Sequence, residues 1–256
     1  MEIIKLDHAN NYRDLGGIKT VDGRTLKKCM LIRGTPLNKL SKKDINILRE
    51  NYKLSTIIDL RTKKEVEEKP DDSLPGVEYF HCPVLSESLV GISHERRVNS
   101  FKSLEMMPTM EDLYITMVTD VSLRNMVQVL KKILTFPPER FSIVFHCSAG
   151  KDRTGILAAL LLAFLGVDRK TIVEDYLFTN NVTKAKAKFV YFGVLIARMS
   201  HKIAKKIKNY FLAQEDYIES ALKTLEQKYG SLDNFFATWL HFTDEEVDAI
   251  KNKFLN

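Results

Sequence analysis

Apolar residues along the chain follow two rhythms. Short runs rich in Val, Ile and Phe, bounded by turn residues, predict strands at Leu26 to Arg33, Leu54 to Arg61, Val77 to Val84 and Phe141 to Cys147. Stretches spaced by three and four residues, or long and apolar, predict helices at Ser41 to Asn51, Met110 to Phe136, Ile156 to Leu165 and Gln214 to Tyr229. Ser41-Lys42-Lys43-Asp44 and Thr243-Asp244-Glu245-Glu246 have the spacing of capping boxes, the second opening a final helix that ends at Phe254. No period marks Leu85 to Met110, which reads as a loop near a pocket. Strands alternating with helices predict an α/β fold with a largely parallel central sheet and helices on both faces. The 256 residues, 45% hydrophobic and without repeats or low-complexity linkers, predict one domain over 1–256.

Charge adds a local feature. Between Val182 and Asn209 stand eight basic residues (Lys184, Lys186, Lys188, Arg198, Lys202, Lys205, Lys206, Lys208) and no acidic one, which accounts for the whole net charge of +6. Phe189, Phe192, Leu195, Ile196, Met199, Ile203 and Ile207 recur at helical steps in the same segment, so 182–209 reads as one amphipathic helix or two broken near Ser200. It is either an ordinary surface helix with solvated lysines or a lid that draws polyanionic substrates or an anionic membrane surface. No nucleic-acid recognition motif accompanies it, and no nucleic-acid partner is expected.

The candidate chemistry lies in His146-Cys147-Ser148-Ala149-Gly150-Lys151-Asp152-Arg153-Thr154-Gly155, between a predicted strand and a predicted helix. A loop there can turn its amides from Ser148 onward toward an anion, and the helix dipole adds positive potential. Cys147 is the candidate nucleophile, since thiolates are favoured at helix N-termini and beside cations. Arg153 can hold two phosphoryl oxygens in its planar fork and bind the transition state. Thr154 can donate a hydrogen bond to the departing thiolate, and His146 would brace the loop. Ser148, Ala149, Gly150 and Lys151 line the phosphate site in this reading, with Lys151 a second cation that favours substrates bearing more than one phosphate. His81-Cys82-Pro83 repeats the His-Cys pair without the glycine or arginine, so Cys82 reads as structural, and Cys29 reads as a strand residue.

The cysteine, five intervening residues and an arginine form the signature of the cysteine-dependent phosphatases. Together with Asn11-Tyr12-Arg13-Asp14-Leu15-Gly16-Gly17, Asp22-Gly23-Arg24, Ile32-Arg33-Gly34, Ile58-Asp59-Leu60-Arg61 and Asp175-Tyr176-Leu177, the chain resembles the bacterial protein tyrosine phosphatase B-like family over nearly its whole length. The resemblance implies a metal-free cysteine-phosphatase fold and activity on phosphotyrosine, often also on phosphoserine, phosphothreonine or phosphoinositides. In some members it implies a helical lid, here placed at 182–209. Gly34 departs from the serine expected after the arginine.

Two aspartates compete as general acid. Asp152 lies within the loop, as in the similar myotubularin lipid phosphatases; Asp59 ends a predicted strand, where open α/β sheets place ligand-facing residues. Asp152 has a loop-orienting alternative, and Asp59 an ion pair with Arg61 or Arg13. Arg13 and Arg61 are candidate substrate contacts, and Arg13 with Asp14 has a turn-building alternative. A rhodanese-like sulfurtransferase also keeps a cysteine after a strand, and a phospho-ligand binding module would need no turnover. A nucleotide-binding loop is excluded, because Gly150-Lys151 lacks the following hydroxyl residue and the earlier glycine. No cofactor is expected, and the six histidines have no metal-ligand spacing. Three cysteines without framework spacing and no signal-like N-terminus point to a cytoplasmic protein, although export without a cleavable signal leaves no mark in a sequence.

Overall fold

The computed structural model describes residues 1–87, 108–137, 142–198 and 200–256. Six strands, β1 (Glu2–Ile3), β2 (Arg13–Asp14), β3 (Leu31–Gly34), β4 (Leu54–Asp59), β5 (Glu78–His81) and β6 (Ser142–His146), form one sheet in the order β1-β2-β3-β6-β4-β5. β3, β6, β4 and β5 run parallel, whereas β1, β2 and β3 form an antiparallel edge. The helices are α1 (Lys42–Asn46, continued by a π-helical turn, Ile47–Asn51), α2 (Lys63–Glu68), α3 (Met110–Met117), α4 (Asp120–Thr135), α5 (Asp152–Phe164), α6 (Arg169–Phe178), α7 (Asn180–Arg198), α8 (His201–Phe211), α9 (Glu215–Tyr229), α10 (Leu232–Leu240) and α11 (Asp244–Phe254).

Alternation along the central strands builds two cores. Ile143 and Phe145 of β6, with Ile58 of β4, join the larger one, which holds α3 to α5 and α9 to α11. Val144 and Ile57 face the other way, into a smaller cluster with Ile32, Leu48 and Tyr52. The inner parallel strands β3, β6 and β4 are thus buried on both faces, which is why β4 and β6 read as continuous apolar runs, whereas β5 at the sheet edge is largely exposed. α5 is buried on all sides and shows no polar face.

Several boundaries differ from expectation. The strand predicted from Leu26 begins only at Leu31: Leu26 makes a single bridge to Leu255, and Cys29 takes a left-handed φ of 60°, so it is a turn residue and not a strand residue. Asp14 makes that turn, accepting hydrogen bonds from the amides of Gly16 (2.9 Å) and Cys29 (2.7 Å). The helix predicted from Met110 to Phe136 is two, because Thr119 is extended and Asp120 left-handed. Both predicted capping boxes form. Helices α2, α6 and α10 lay outside the sequence expectation, and most of the predicted loop, 88–107, lies outside the described residues.

Candidate active site

The phosphate-binding candidate is the turn from the end of β6 to the start of α5. Its last loop residue, Lys151, is the N-cap of α5 and makes no side-chain cap, so the first-turn amides are left for another acceptor. Gly150 takes φ 62°, and a Cβ there would come within 2.5 Å of the Gly34 carbonyl oxygen. A Cβ on Gly34 would in turn lie 2.4 Å from the Tyr12 ring, which accounts for glycine where serine was expected.

Behind the loop, a buried lattice of charges holds its shape. The Gly150 carbonyl accepts hydrogen bonds from Asn11 Nδ2 (3.0 Å) and Arg33 Nη2 (3.1 Å). Asp175 of α6 receives Nε of Arg13 at 2.7 Å and Nη1 of Arg33 at 2.5 Å. Burial raises the Asp175 carboxyl, but the charges of Arg33 and Arg13 overcome it and leave the group below the usual carboxylate range. Burial, with the charge of Arg33, brings Arg13 down to about 10. Arg13, expected at the substrate, is fully buried beneath the loop and acts as a brace. Because the folded-state pKa of Asp175 is depressed, its stabilisation is complete above the ordinary aspartate range and is lost as pH falls through and below it. Asp175→Asn is expected to cost about 3–5 kcal/mol, by leaving two buried arginines with one partner fewer. Urea midpoints measured from pH 7 to pH 3 should fall steeply in the wild type and much less in the variant; parallel curves would remove Asp175 from this role.

Cys147 is fully buried and Arg153 is 1% exposed. The guanidinium of Arg153 lies end-on to Glu65 of α2, with Nη1 to Oε2 at 2.6 Å and Nη2 to Oε1 at 2.8 Å. Nε of Arg153 takes part in no hydrogen bond among the described residues. It leaves, with the second hydrogen on Nη2, a side-on fork for an oxyanion. Ser148 donates its hydroxyl to the same carboxylate. Glu65 also closes the Thr62 capping box that starts α2, accepting from the Thr62 amide at 2.9 Å. Burial pushes the Glu65 carboxyl up, but hydrogen bonds and charge from Arg153, with Ser148 and Thr62, hold it down at about 2. Burial opposes the charge on Arg153, yet Glu65 and the cysteine charge at Cys147 raise its pKa above the ordinary arginine value. Glu65 was missed in the sequence; the Thr62-x-x-Glu65 spacing was its available signal.

A second network lies beside the loop. Asp59 is fully buried and accepts from Arg61 Nε, Arg61 Nη2 at 2.6 Å and the hydroxyl of Tyr79 at 2.7 Å. Burial raises its carboxyl, but His146 and Arg61 bring it below the usual value. An anion so enclosed is a poor proton donor, and the ion pair with Arg61 is the reading that fits. Arg61 itself is 1% exposed and its guanidinium is taken up by Asp59, Asp71 and the Lys69 carbonyl, an ion-pair network in place of the open cation expected at the substrate. His146 ends β6 with Nε2 2.7 Å from Asp71, off the line of a proper hydrogen bond. Asp59, Asp71 and His146 bring ligand-type atoms within 4.8 Å of one another, yet Arg61 already bonds both carboxylates, as in an ion-pair network.

On the opposite side, Asp152 accepts from Tyr114 (2.7 Å) and lies 3.2 Å from the Lys151 ammonium; the Tyr114 hydroxyl is 2.7 Å from that of Tyr176. Lys151 is 1% exposed, and its ammonium also donates to the carbonyls of Tyr210 (2.7 Å) and Leu212 (3.1 Å) at the end of α8. The expected second cation for substrate is therefore engaged elsewhere, tying the loop to the predicted lid. The segment expected to form it is two helices, α7 and α8, with Ser200 capping the second. The Thr154 hydroxyl is buried and has no hydrogen-bond partner among the described residues, which leaves a donor on the first turn of α5. Ser148 and Ala149 are the partly exposed members of the loop.

Comparison with known proteins gives a consistent picture. A tyrosine-protein phosphatase of Cupriavidus necator, provisionally so named, is 28% identical over 91% of this chain and 82% of its own. The triple specificity protein phosphatase PtpB of Mycobacterium tuberculosis is 27% identical over 92% of this chain and 93% of its own. The crystal structure of P. aeruginosa TpbA with phosphotyrosine aligns over 90% of this chain and 88% of that one, at 12% identity and a TM-score of 0.38, too loose a superposition to support an argument. The model of a tyrosine phosphatase family matches residues 4–256. Because that match runs almost end to end, the chain belongs to the tyrosine phosphatase family.

Proposed function

We propose that this cysteine-dependent phosphatase hydrolyses phosphotyrosine first, with phosphoserine, phosphothreonine and phosphoinositides as further substrates, the last reached at an anionic membrane surface. The observation that carries the reading is Arg153, held end-on by Glu65 so that its side-on edge remains for a phosphoryl group above Cys147. The Cys147 thiolate attacks phosphorus, and the P–O bond to the substrate breaks. Asp152 protonates the departing oxygen. Water, deprotonated by the same carboxylate, then cleaves the S–P bond and releases inorganic phosphate, while the Thr154 hydroxyl stabilises the returning thiolate. PtpB, whose name states three specificities, supports the breadth of substrates. Cys147 and Arg153 have almost no exposure, so substrate access in this reading requires movement of covering elements, and the bonds from Lys151 to Tyr210 and Leu212 support the end of α8 as one of them.

The test is phosphate release from a phosphotyrosine peptide, a phosphoserine peptide and a phosphoinositide, side by side and without added metal. The phosphotyrosine peptide should be hydrolysed fastest; release from none of the three would leave only a phospho-ligand binding module. For the acid, Asp152→Asn is expected to lose about 10²–10³-fold in kcat on alkyl and poor aryl leaving groups, and about tenfold or less on nitrophenyl phosphate. An equal loss across leaving groups would assign Asp152 to loop orientation instead.

A further inference from the structure

Four of the ten exposed large apolar side chains among the described residues stand on α7: Val182 (40% exposed), Phe189 (80%), Phe192 (49%) and Ile196 (77%). With Ala185 they occupy steps of three, four, three and four residues, so they share one stripe on the outer side of the helix. Nothing in the described chain covers it. Lys186 and Lys188 flank Phe189 on opposite sides of the stripe, and both are exposed. On the α8 side, a groove of about 410 Å³ between the helices is lined by Lys184, Lys188, Lys208, Tyr191 and Phe192. No acidic residue lies between Val182 and Asn209.

Charge selects the occupant. The three-four spacing would also suit a two-helix seam with a second copy, but the flanking positions would then set Lys186 and Lys188 against the same lysines of the other chain with no acidic partner. An anionic bilayer meets both demands at once, because its interface accepts phenyl and isoleucyl side chains while its phosphates and carboxylates accept the ammonium groups. Among the described residues no helix is long and apolar enough to cross a membrane, so the contact is one of lying on the surface.

We propose that the α7–α8 hairpin is a peripheral membrane anchor that seats Phe189, Phe192 and Ile196 in the interface of an anionic phospholipid bilayer, with its lysines on the headgroups. The base of the hairpin is joined to the catalytic loop through Lys151, and Asn180 bonds the backbone of Ala213 across the two helices' ends. A docked hairpin therefore brings the loop close to the bilayer. The consequence for membrane-borne phosphoinositides rests on the phosphatase reading; the docking itself does not.

The experiment is co-sedimentation of the full chain with vesicles of phosphatidylcholine alone or mixed with phosphatidylserine, together with turnover of soluble nitrophenyl phosphate. Wild type should bind the phosphatidylserine vesicles about tenfold or more tightly than the neutral ones, and salt should weaken that binding. Phe189→Ser combined with Ile196→Ser, and separately Lys186→Glu combined with Lys188→Glu, should each lose about tenfold in vesicle binding, with nitrophenyl phosphate turnover and circular dichroism unchanged. No preference for anionic vesicles, or apolar variants that bind as wild type does, would overturn the proposal. A dimer that the same apolar variants dissociate, without vesicle binding, would assign the stripe to a second copy. Vesicle binding by a protein with no phosphatase activity would sink the proposed function and leave the anchor standing.

Discussion

Cys147→Ser is expected to abolish phosphate release from every substrate, with a fall of about four to six orders of magnitude in kcat. A serine hydroxyl at this position is not ionised at neutral pH, and the carboxylate of Asp59 is locked onto Arg61 and cannot serve as its base. Binding should survive. Arg153 is positioned by Glu65, and the loop by Asn11 and Arg33 on the Gly150 carbonyl, none of which involves the sulfur atom. The affinity of the serine variant for a phosphotyrosine peptide, measured calorimetrically, should therefore stay within a few-fold of that of product phosphate analogues on wild type. Residual turnover above about 1% of wild type, free of contaminating phosphatase, would show that Cys147 is not the nucleophile.

Arg153→Lys should cost about 10³–10⁴-fold in kcat/KM, most of it in kcat. An ammonium cannot grip Glu65 end-on and an oxyanion side-on at once, because it lacks the planar five-donor fork. Charge alone is conserved in this variant, so a loss of that size isolates geometry. Glu65→Gln should be milder, about 10–100-fold, since the amide oxygen still accepts one guanidinium hydrogen while the matching charge is gone. In the double variant the losses should fall short of additive, as the two side chains act as one unit. An Arg153→Lys enzyme within tenfold of wild type would overturn the transition-state role. The pairing also has a pH signature. The Glu65 carboxyl titrates near 2, so its ion pair persists from neutral pH down to about that value and is lost only below it. No limb of the pH–rate profile above pH 4 should then shift in Glu65→Gln.

The catalytic loop was legible because its chemistry is local. A strand, ten residues of fixed type and an apolar helix follow one another in the chain, and β6 and α5 form where those residues predict. The capping boxes at Ser41 and Thr243 were legible for the same reason, since cap and partner stand three residues apart. The basic segment broke at Ser200, where a polar N-cap could restart a helix.

What surrounds the loop was not legible, because it depends on which segments meet. Arg13, Arg61 and Lys151 are all cations in suggestive motifs, yet each is drawn into the interior by a partner far along the chain: Asp175, Asp71 with Asp59, and the end of α8. Desolvating an arginine or lysine is tolerable only beside such partners, and a sequence does not say where they will be. Glu65 is the reverse case, an ordinary capping residue that the packing of α2 turns into the partner of Arg153. The strand expected at Cys29 failed because the side chain of Asp14, fifteen residues away, captures its amide and turns the backbone left-handed. Residue order alone thus determined the α/β framework and singled out Cys147 and Arg153 as the nucleophile and phosphate-binding arginine proposed above, all through neighbours in the chain. The tertiary structure decided which cations are locked in buried networks, because that depends on pairing buried charges across long separations.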